Sequence, residues 1–167
     1  KTKDTHSSLS KYIRVYKSGL PKTKFFLRAE SFYNFSTEIE RLATEDGYKA
    51  LYEYYGGNLH EVSHGESFIQ LVQNRFSDNG LYILDEPEAA LSPQRQMSLL
   101  CLIDDLVKHG SQFIIATHSP ILISYRDGEI LDLNNNFEKV EYKDTDIYKL
   151  YKMYLDNPER MQKELFD

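Results

Sequence analysis

The stretch GLYILDEPEAALSP, Gly80 to Pro93, decides how the rest of the chain reads. Four apolar residues, Leu81, Tyr82, Ile83 and Leu84, run directly into Asp85 and Glu86, and Pro87 follows. So short and unbroken an apolar run predicts a buried strand. Two adjacent carboxylates at its tip repel each other unless a cation, a proton or water gives them different jobs. That is costly enough to suggest a use. Just beyond, Ser92-Pro93 predicts a helix start, because a serine hydroxyl caps orphan amides and proline suits the first helical position. This helix is expected to turn Met97, Leu100, Ile103 and Val107 inward and to close at Gly110. QFIIAT, Gln112–Thr117, predicts a second buried strand, and HSPILIS a helix or turn after it.

Strand, helix and strand in that order, from Asp78 to Thr117, make a βαβ unit. The unit implies a parallel sheet with a right-handed crossover. Ligands bind such sheets beyond the carboxyl ends of the strands. Asp85 and Glu86 end one strand, and Thr117 and His118 end the next, so these groups are expected on one rim. There Asp85 suits magnesium, a hard cation that takes few protein oxygens and keeps several waters. Glu86 can orient or deprotonate an attacking water, and His118 can hydrogen-bond a terminal phosphate. Singly, Asp85 and Glu86 read as solvated turn acids and His118 as a loop histidine. Their convergence, each behind an apolar strand, favours function.

Outward from this unit, EVSHGESF (Glu61–Phe68) places Ser63 and Gly65 ahead of an amphipathic helix running from Gly65 to Phe76, with Phe68, Leu71 and Val72 on one side. Free amides and the positive end of the helix dipole make an anion site there, with the Ser63 hydroxyl as a further donor. A plain serine cap with a turn glycine is the competing reading. Further upstream, KYIRVY (Lys11–Tyr16) and KFFLRA (Lys24–Ala29) read as two strands, paired as a hairpin across KSGLPKT. Phe35 to Tyr55 reads as helix with a break at Gly47. Downstream, EILDL and KVEY form a closing strand pair. Helices are expected over Asp146–Leu155 and Pro158–Phe166.

Composition bounds the chemistry. The 167 residues suit one domain with a hydrophobic core. The net charge of −6 argues against unaided grip on a nucleic-acid backbone. Cys101 is the single cysteine, so no internal disulfide forms and a reducing compartment is compatible. No apolar run is long enough to span a bilayer, and the first residues lack a signal-peptide core. The chain therefore reads as a cytoplasmic domain with no membrane segment of its own.

Three motifs together carry a resemblance. VSHGE resembles the signature motif of ATP-binding-cassette ATPases, written LSGGQ, or LSGGE in chromosome-maintenance and DNA-repair members. LYILDEPEAALS resembles their Walker B strand with its D-loop, and IIATHSP their H-loop. Order and spacing agree from Val62 to Pro120. The chain resembles soluble bacterial predicted ATPases carrying RAESFYN, SHGES and DEPEAALSP. The resemblance implies an α/β, P-loop NTPase-like fold: a RecA-like core of parallel sheet flanked by helices, with a helical signature subdomain. A single partial domain over 1–167 would divide into a helical and signature region (30–79), a core from Walker B to H-loop (80–145) and C-terminal helices (146–167).

It also implies ATP and Mg2+ as ligands. Asp85 would serve the metal, Glu86 would polarise the attacking water, and His118 would contact the γ-phosphate. Ser63, His64, Gly65 and Glu66 would contact a nucleotide held by another subunit, with Ala90, Leu91 and Ser92 at the dimer seam. His64 replaces the first signature glycine, and Ser92 replaces the usual D-loop aspartate.

The phosphate loop G-x-x-x-x-G-K-[ST] is absent, and the sequence contains no Gly-Lys pair. SGLPKTK (Ser18–Lys24) cannot wrap phosphates with successive amides. The chain is therefore expected to be the C-terminal portion of a larger ATPase whose N-terminal lobe is deleted, cleaved or on another chain. It should lack activity by itself and pair with an identical chain or an intact ATPase, with DNA or an effector protein as possible further partners. One alternative is a non-catalytic or regulatory fragment acting as an interaction module. Another is a metal-dependent nuclease built on Asp85, Glu86 and Glu88.

Overall fold

The computed structural model describes residues 11–17, 19–45 and 63–166. Three strands, β1 (Thr23–Arg28), β2 (Gly80–Asp85) and β3 (Gln112–Ala116), form a parallel sheet in that order. The helices α1 (Ala29–Glu45), α2 (His64–Arg75) and α3 (Pro93–Lys108) accompany it. A two-stranded antiparallel unit, β4 (Ile130–Asp132) with β5 (Glu138–Val140), follows. Two helices, α4 (Asp146–Asp156) and α5 (Pro158–Phe166), come last. No helix among the described residues is long and apolar enough to cross a membrane.

The βαβ unit forms as its sequence dictates. Leu84 and Tyr82 point to the helical side of β2 and are fully buried. Ser92 caps α3, its hydroxyl accepting the Arg95 amide at 3.4 Å, and Pro93 takes the first helical position. Gly110 ends the helix with φ at +82°, a left-handed conformation that glycine adopts without a Cβ clash. The core joins Leu27 and Phe32, the α2 face of Phe68, Leu71 and Val72, and Leu99 and Ile103 of α3. Each such side chain contributes about 1.5–3 kcal/mol by leaving water.

Four expectations are corrected. Residues 13–17 form no strand and expose Ile13, Val15 and Tyr16. There is accordingly no hairpin: β1 pairs with β2 instead, in parallel register from Thr23↔Gly80 to Arg28↔Asp85. That pairing lets Leu27 of β1 join the main core beside Leu84. Second, α1 begins at Ala29 rather than Phe35, because Ala29, Phe32, Ser36 and Ile39 recur on one buried face. Its expected continuation to Tyr55 lies outside the described residues.

Third, Met97 is 52% exposed. The buried stripe of α3 runs through Gln96, Leu99 and Ile103. A polar residue belongs to it because the Gln96 amide bonds the Leu91 carbonyl at 3.1 Å and the Ser119 hydroxyl at 2.5 Å, so hydropathy alone misplaces the phase. Fourth, the described residues cover β2 and β3 on one face only. Phe26, Ile83 and Ile114 lie level across the three strands and remain exposed.

Tyr82 locks the amino end of the sheet. Its ring stacks on Phe76 at a centroid distance of 4.0 Å. Its hydroxyl donates to the Ser77 carbonyl at 2.8 Å, accepts the Ser77 amide at 2.6 Å and meets the Thr23 hydroxyl at 2.8 Å. A Cβ on Gly80 would strike this hydroxyl, at 2.2 Å. Removing the hydroxyl strands the Ser77 amide in a part-buried position. Tyr82→Phe is therefore expected to lower stability by about 1–3 kcal/mol in urea denaturation, a larger loss than the aromatic ring's retained packing would suggest.

Candidate functional site

Parallel register brings three strand ends to one level, with Arg28, Asp85 and Ala116 abreast. The residues that follow them fan over a common rim. Glu30 comes from the first turn of α1, Glu86 from the turn after β2, and Thr117 and His118 from the loop after β3. Asp85 accepts Arg28 Nε at 2.6 Å, which raises the Arg28 pKa, chiefly through that hydrogen bond and then through Coulomb attraction. A cleft of about 260 Å³ is lined by Arg28, Glu30, Asp85, Glu86 and Ala89.

Glu86 sits in left-handed backbone, φ +50° and ψ +49°, which costs a non-glycine residue about 1–2 kcal/mol. The turn is held by its own amide, which donates to the Ala116 carbonyl at 2.9 Å, and by buried Pro87. This geometry lifts the Glu86 carboxylate into solvent, where it takes no hydrogen bond from the described residues. His118 Nε2 stands 4.0 Å from Glu86 Oε1. The structure thus brings Asp85, Glu86 and His118 onto one rim. Glu88 does not join them. Its carboxylate accepts the Thr117 hydroxyl at 2.7 Å and the His118 amide at 2.6 Å, so a three-carboxylate nuclease centre of Asp85, Glu86 and Glu88 is not assembled.

Ser63, Gly65 and Glu66 form a second cluster at the start of α2, tied to Arg95 rather than to the rim. Of His64 only the backbone is described. The Glu66 carboxylate accepts the Ser63 amide at 3.2 Å and the Ser63 hydroxyl at 2.8 Å. Arg95 donates to the Ser63 hydroxyl at 2.7 Å and pairs with Glu66 at 3.4 Å. The expected exposed anion site is thus partly self-occupied. Gly65 is required by close packing, since a Cβ there would meet Arg95 Cδ at 2.8 Å and the Ala90 carbonyl at 3.1 Å.

A family model described as AAA ATPase domain matches residues 59–123. That match supports a P-loop ATPase family. With the parallel sheet and its helices, it fits an α/β P-loop-like fold. It supports ATP binding and hydrolysis in general, and an ATPase domain ordinarily uses nucleotide with Mg2+. No curated protein and no solved structure gives a significant match.

Sequence reasoning gave no role to Arg28, Glu30, Arg95 or Gln96, and it named Glu88 only as a carboxylate of the nuclease alternative. Reading KFFLRA as half of a hairpin hid Arg28 and Glu30; a parallel pairing of that segment with GLYILD would have placed both on the rim.

The Ser63 hydroxyl and amide, and then Arg95, hold the Glu66 carboxyl below the usual carboxylate range. A depressed folded-state pKa contributes stability above the ordinary glutamate value and loses it as pH falls through the lowered one. Ser63→Ala is expected to move the Glu66 pKa back up toward the ordinary value, measured by NMR titration of its side-chain carbon. Arg95→Ala is expected to produce a smaller upward shift.

Proposed function

We propose that this chain supplies the Walker B, H-loop and signature portion of an ABC-type ATPase that sandwiches ATP at a dimer interface. The observation that carries this reading is the shared rim of Asp85, Glu86 and His118 at the carboxyl ends of parallel strands, the place where α/β sheets bind ligands. In this reading the domain divides into the helical and signature region 30–79, the core 80–145 and the C-terminal helices 146–167.

The roles follow from what each group touches. Glu86, in strained backbone and taking no hydrogen bond from the described residues, is the carboxylate available to polarise water. His118 stands beside it as a donor to the terminal phosphate. Asp85 keeps one oxygen clear of Arg28, and with neighbouring acids it offers the hard oxygen donors that suit magnesium. Among the described residues no group of three or more ligating side chains is arranged to hold a metal. Bound there, Mg2+ would neutralise phosphate charge. Ser63, His64, Gly65 and Glu66 would meet the nucleotide of the opposing subunit. A phosphate would have to replace the Glu66 carboxylate before the Ser63 donors could reach it.

The phosphate loop would come from a lobe outside this sequence. Two bare surfaces support that. The row Phe26, Ile83 and Ile114 leaves one sheet face uncovered, and an apolar cleft of about 630 Å³ opens beside β3, reaching Phe113, Ile115 and Leu122. The same surfaces favour the second reading, a non-catalytic interaction module for a partner protein. We infer partnership with a second copy or an intact ATPase in a cytoplasmic setting, with DNA or an effector protein downstream.

The chain with ATP and Mg2+ is expected to show no turnover above that of its Glu86→Gln variant. Supplied with a phosphate-loop lobe, it should turn over ATP, and Glu86→Gln should then cut kcat about 10²–10⁴-fold while retaining nucleotide in equilibrium dialysis. Glu86-dependent turnover by the chain alone would overturn the division of the site between lobes. No nucleotide retention in the assembled pair would leave the interaction module as the better reading.

A further inference from the structure

We propose that Glu88 is a positioning residue whose carboxylate clamps the Thr117–His118 segment and so sets the His118 imidazole against Glu86. The proposal deepens the ATPase reading and rests on it for its purpose, although the clamp itself is a matter of geometry.

Glu88 lies in the short turn Pro87–Ala90, directly after strained Glu86. Both of its oxygens are committed. One accepts the His118 amide at 2.6 Å and the other the Thr117 hydroxyl at 2.7 Å. The Thr117 oxygen in turn accepts the Ser119 amide at 3.0 Å. A bidentate acceptor fixes rotation as well as position, because two donors on adjacent residues must both point at one planar group. The peptide before His118 therefore cannot turn without breaking a charge-assisted bond.

The loop is fastened on its other side as well. The buried Ser119 hydroxyl donates to Gln96 Oε1 at 2.5 Å and accepts the amides of Ile121 and Leu122 at 3.1 and 3.2 Å. Gln96 passes the connection to the Leu91 carbonyl. The Ala116 carbonyl, meanwhile, receives the Glu86 amide. Residues 116–119 are thus held at three points to residues 86–96. The side chain of His118 is the part left outward, 82% exposed. Segment 86–92 and loop 116–119 must then move as one body, so a displacement at Ala90–Ser92 is carried to the imidazole.

The test uses this chain without nucleotide, by NMR. The His118 amide proton is expected downfield and exchanging at least about tenfold more slowly than an unbonded loop amide, the factor a net hydrogen bond of ordinary strength supplies. Glu88→Ala should abolish both signatures. Glu88→Gln keeps one carbonyl acceptor at the right reach and should restore protection in part. Glu88→Asp is one methylene short and should not. Glu86→Gln should shift the His118 imidazole resonances in the native background and leave them unmoved in Glu88→Ala.

If Glu88→Ala fails to fold, the contrast between Glu88→Gln and Glu88→Asp decides. Rescue by glutamine alone supports the clamp, and equal behaviour of the two overturns it. An unprotected His118 amide in the native chain, or an imidazole response to Glu86→Gln that survives loss of Glu88, also overturns it. Intact clamp signatures with no nucleotide retention in the assembled enzyme would sink the ATPase reading and leave the clamp standing.

Discussion

The parallel register of three strands governs everything at the functional end of this molecule. Arg28, Asp85 and Ala116 end their strands abreast, so each chain segment leaving the sheet does so over the same rim. A slip of one residue in either pairing would turn the alternate faces over. Leu84 and Tyr82 would leave the core, and Asp85 would point beneath the helices instead of toward the cleft. Burial of those two side chains and alignment of the acidic tip are therefore one constraint. The core residues of β2 hold the register, and the register places the chemistry.

Four carboxylates crowd this end of the sheet, and their environments separate them. Asp85 has Arg28. Glu88 has a hydroxyl and a backbone amide. Glu30 lies in the first turn of α1, where the helix dipole favours an acid. Glu86 takes no hydrogen bond from the described residues, and its strained backbone at φ +50° is held by the bond from its amide to Ala116 and by buried Pro87. The apolar run into two acids is tolerable because the neighbours give the charges unlike partners rather than because the charges are weak. A residue kept in a sparsely populated conformation by a bond to an adjacent strand and by buried proline is one whose position the surrounding fold over-determines.

Much of the arrangement was legible from residue order. The β2–α3–β3 unit, the serine cap with Pro93, the glycine stop at Gly110, the β4–β5 pair and the two final helices all follow from local rules of periodicity and capping. Those rules act within about a dozen residues, and that is where they succeeded. They did not reach β1, whose partner lies more than fifty positions away; Lys11–Tyr16 was the nearer strand-like segment and looked the natural mate. The same limit hid Arg28, whose importance depends on Asp85, and the partners of Glu88, which sit beyond a whole helix. Gln96 was hidden differently. A hydropathy stripe does not include a glutamine, yet its amide is satisfied on both sides, which removes most of the cost of burying it.

The two clusters also differ in how they meet an anion. At the rim, Arg28 is the cation nearest to Asp85, and a phosphate or metal arriving there competes for groups already paired with each other. At the start of α2, the Glu66 carboxylate takes the Ser63 amide and hydroxyl, with Arg95 beside it. At both places the polar groups are already paired with the chain's own side chains. Exchange of an internal partner for an external one loses little desolvation energy, since the groups were never left bare. It does demand that the incoming ligand offer more charge or better geometry than the side chain it displaces. The self-paired state is therefore a threshold for whatever ligand arrives at either cluster.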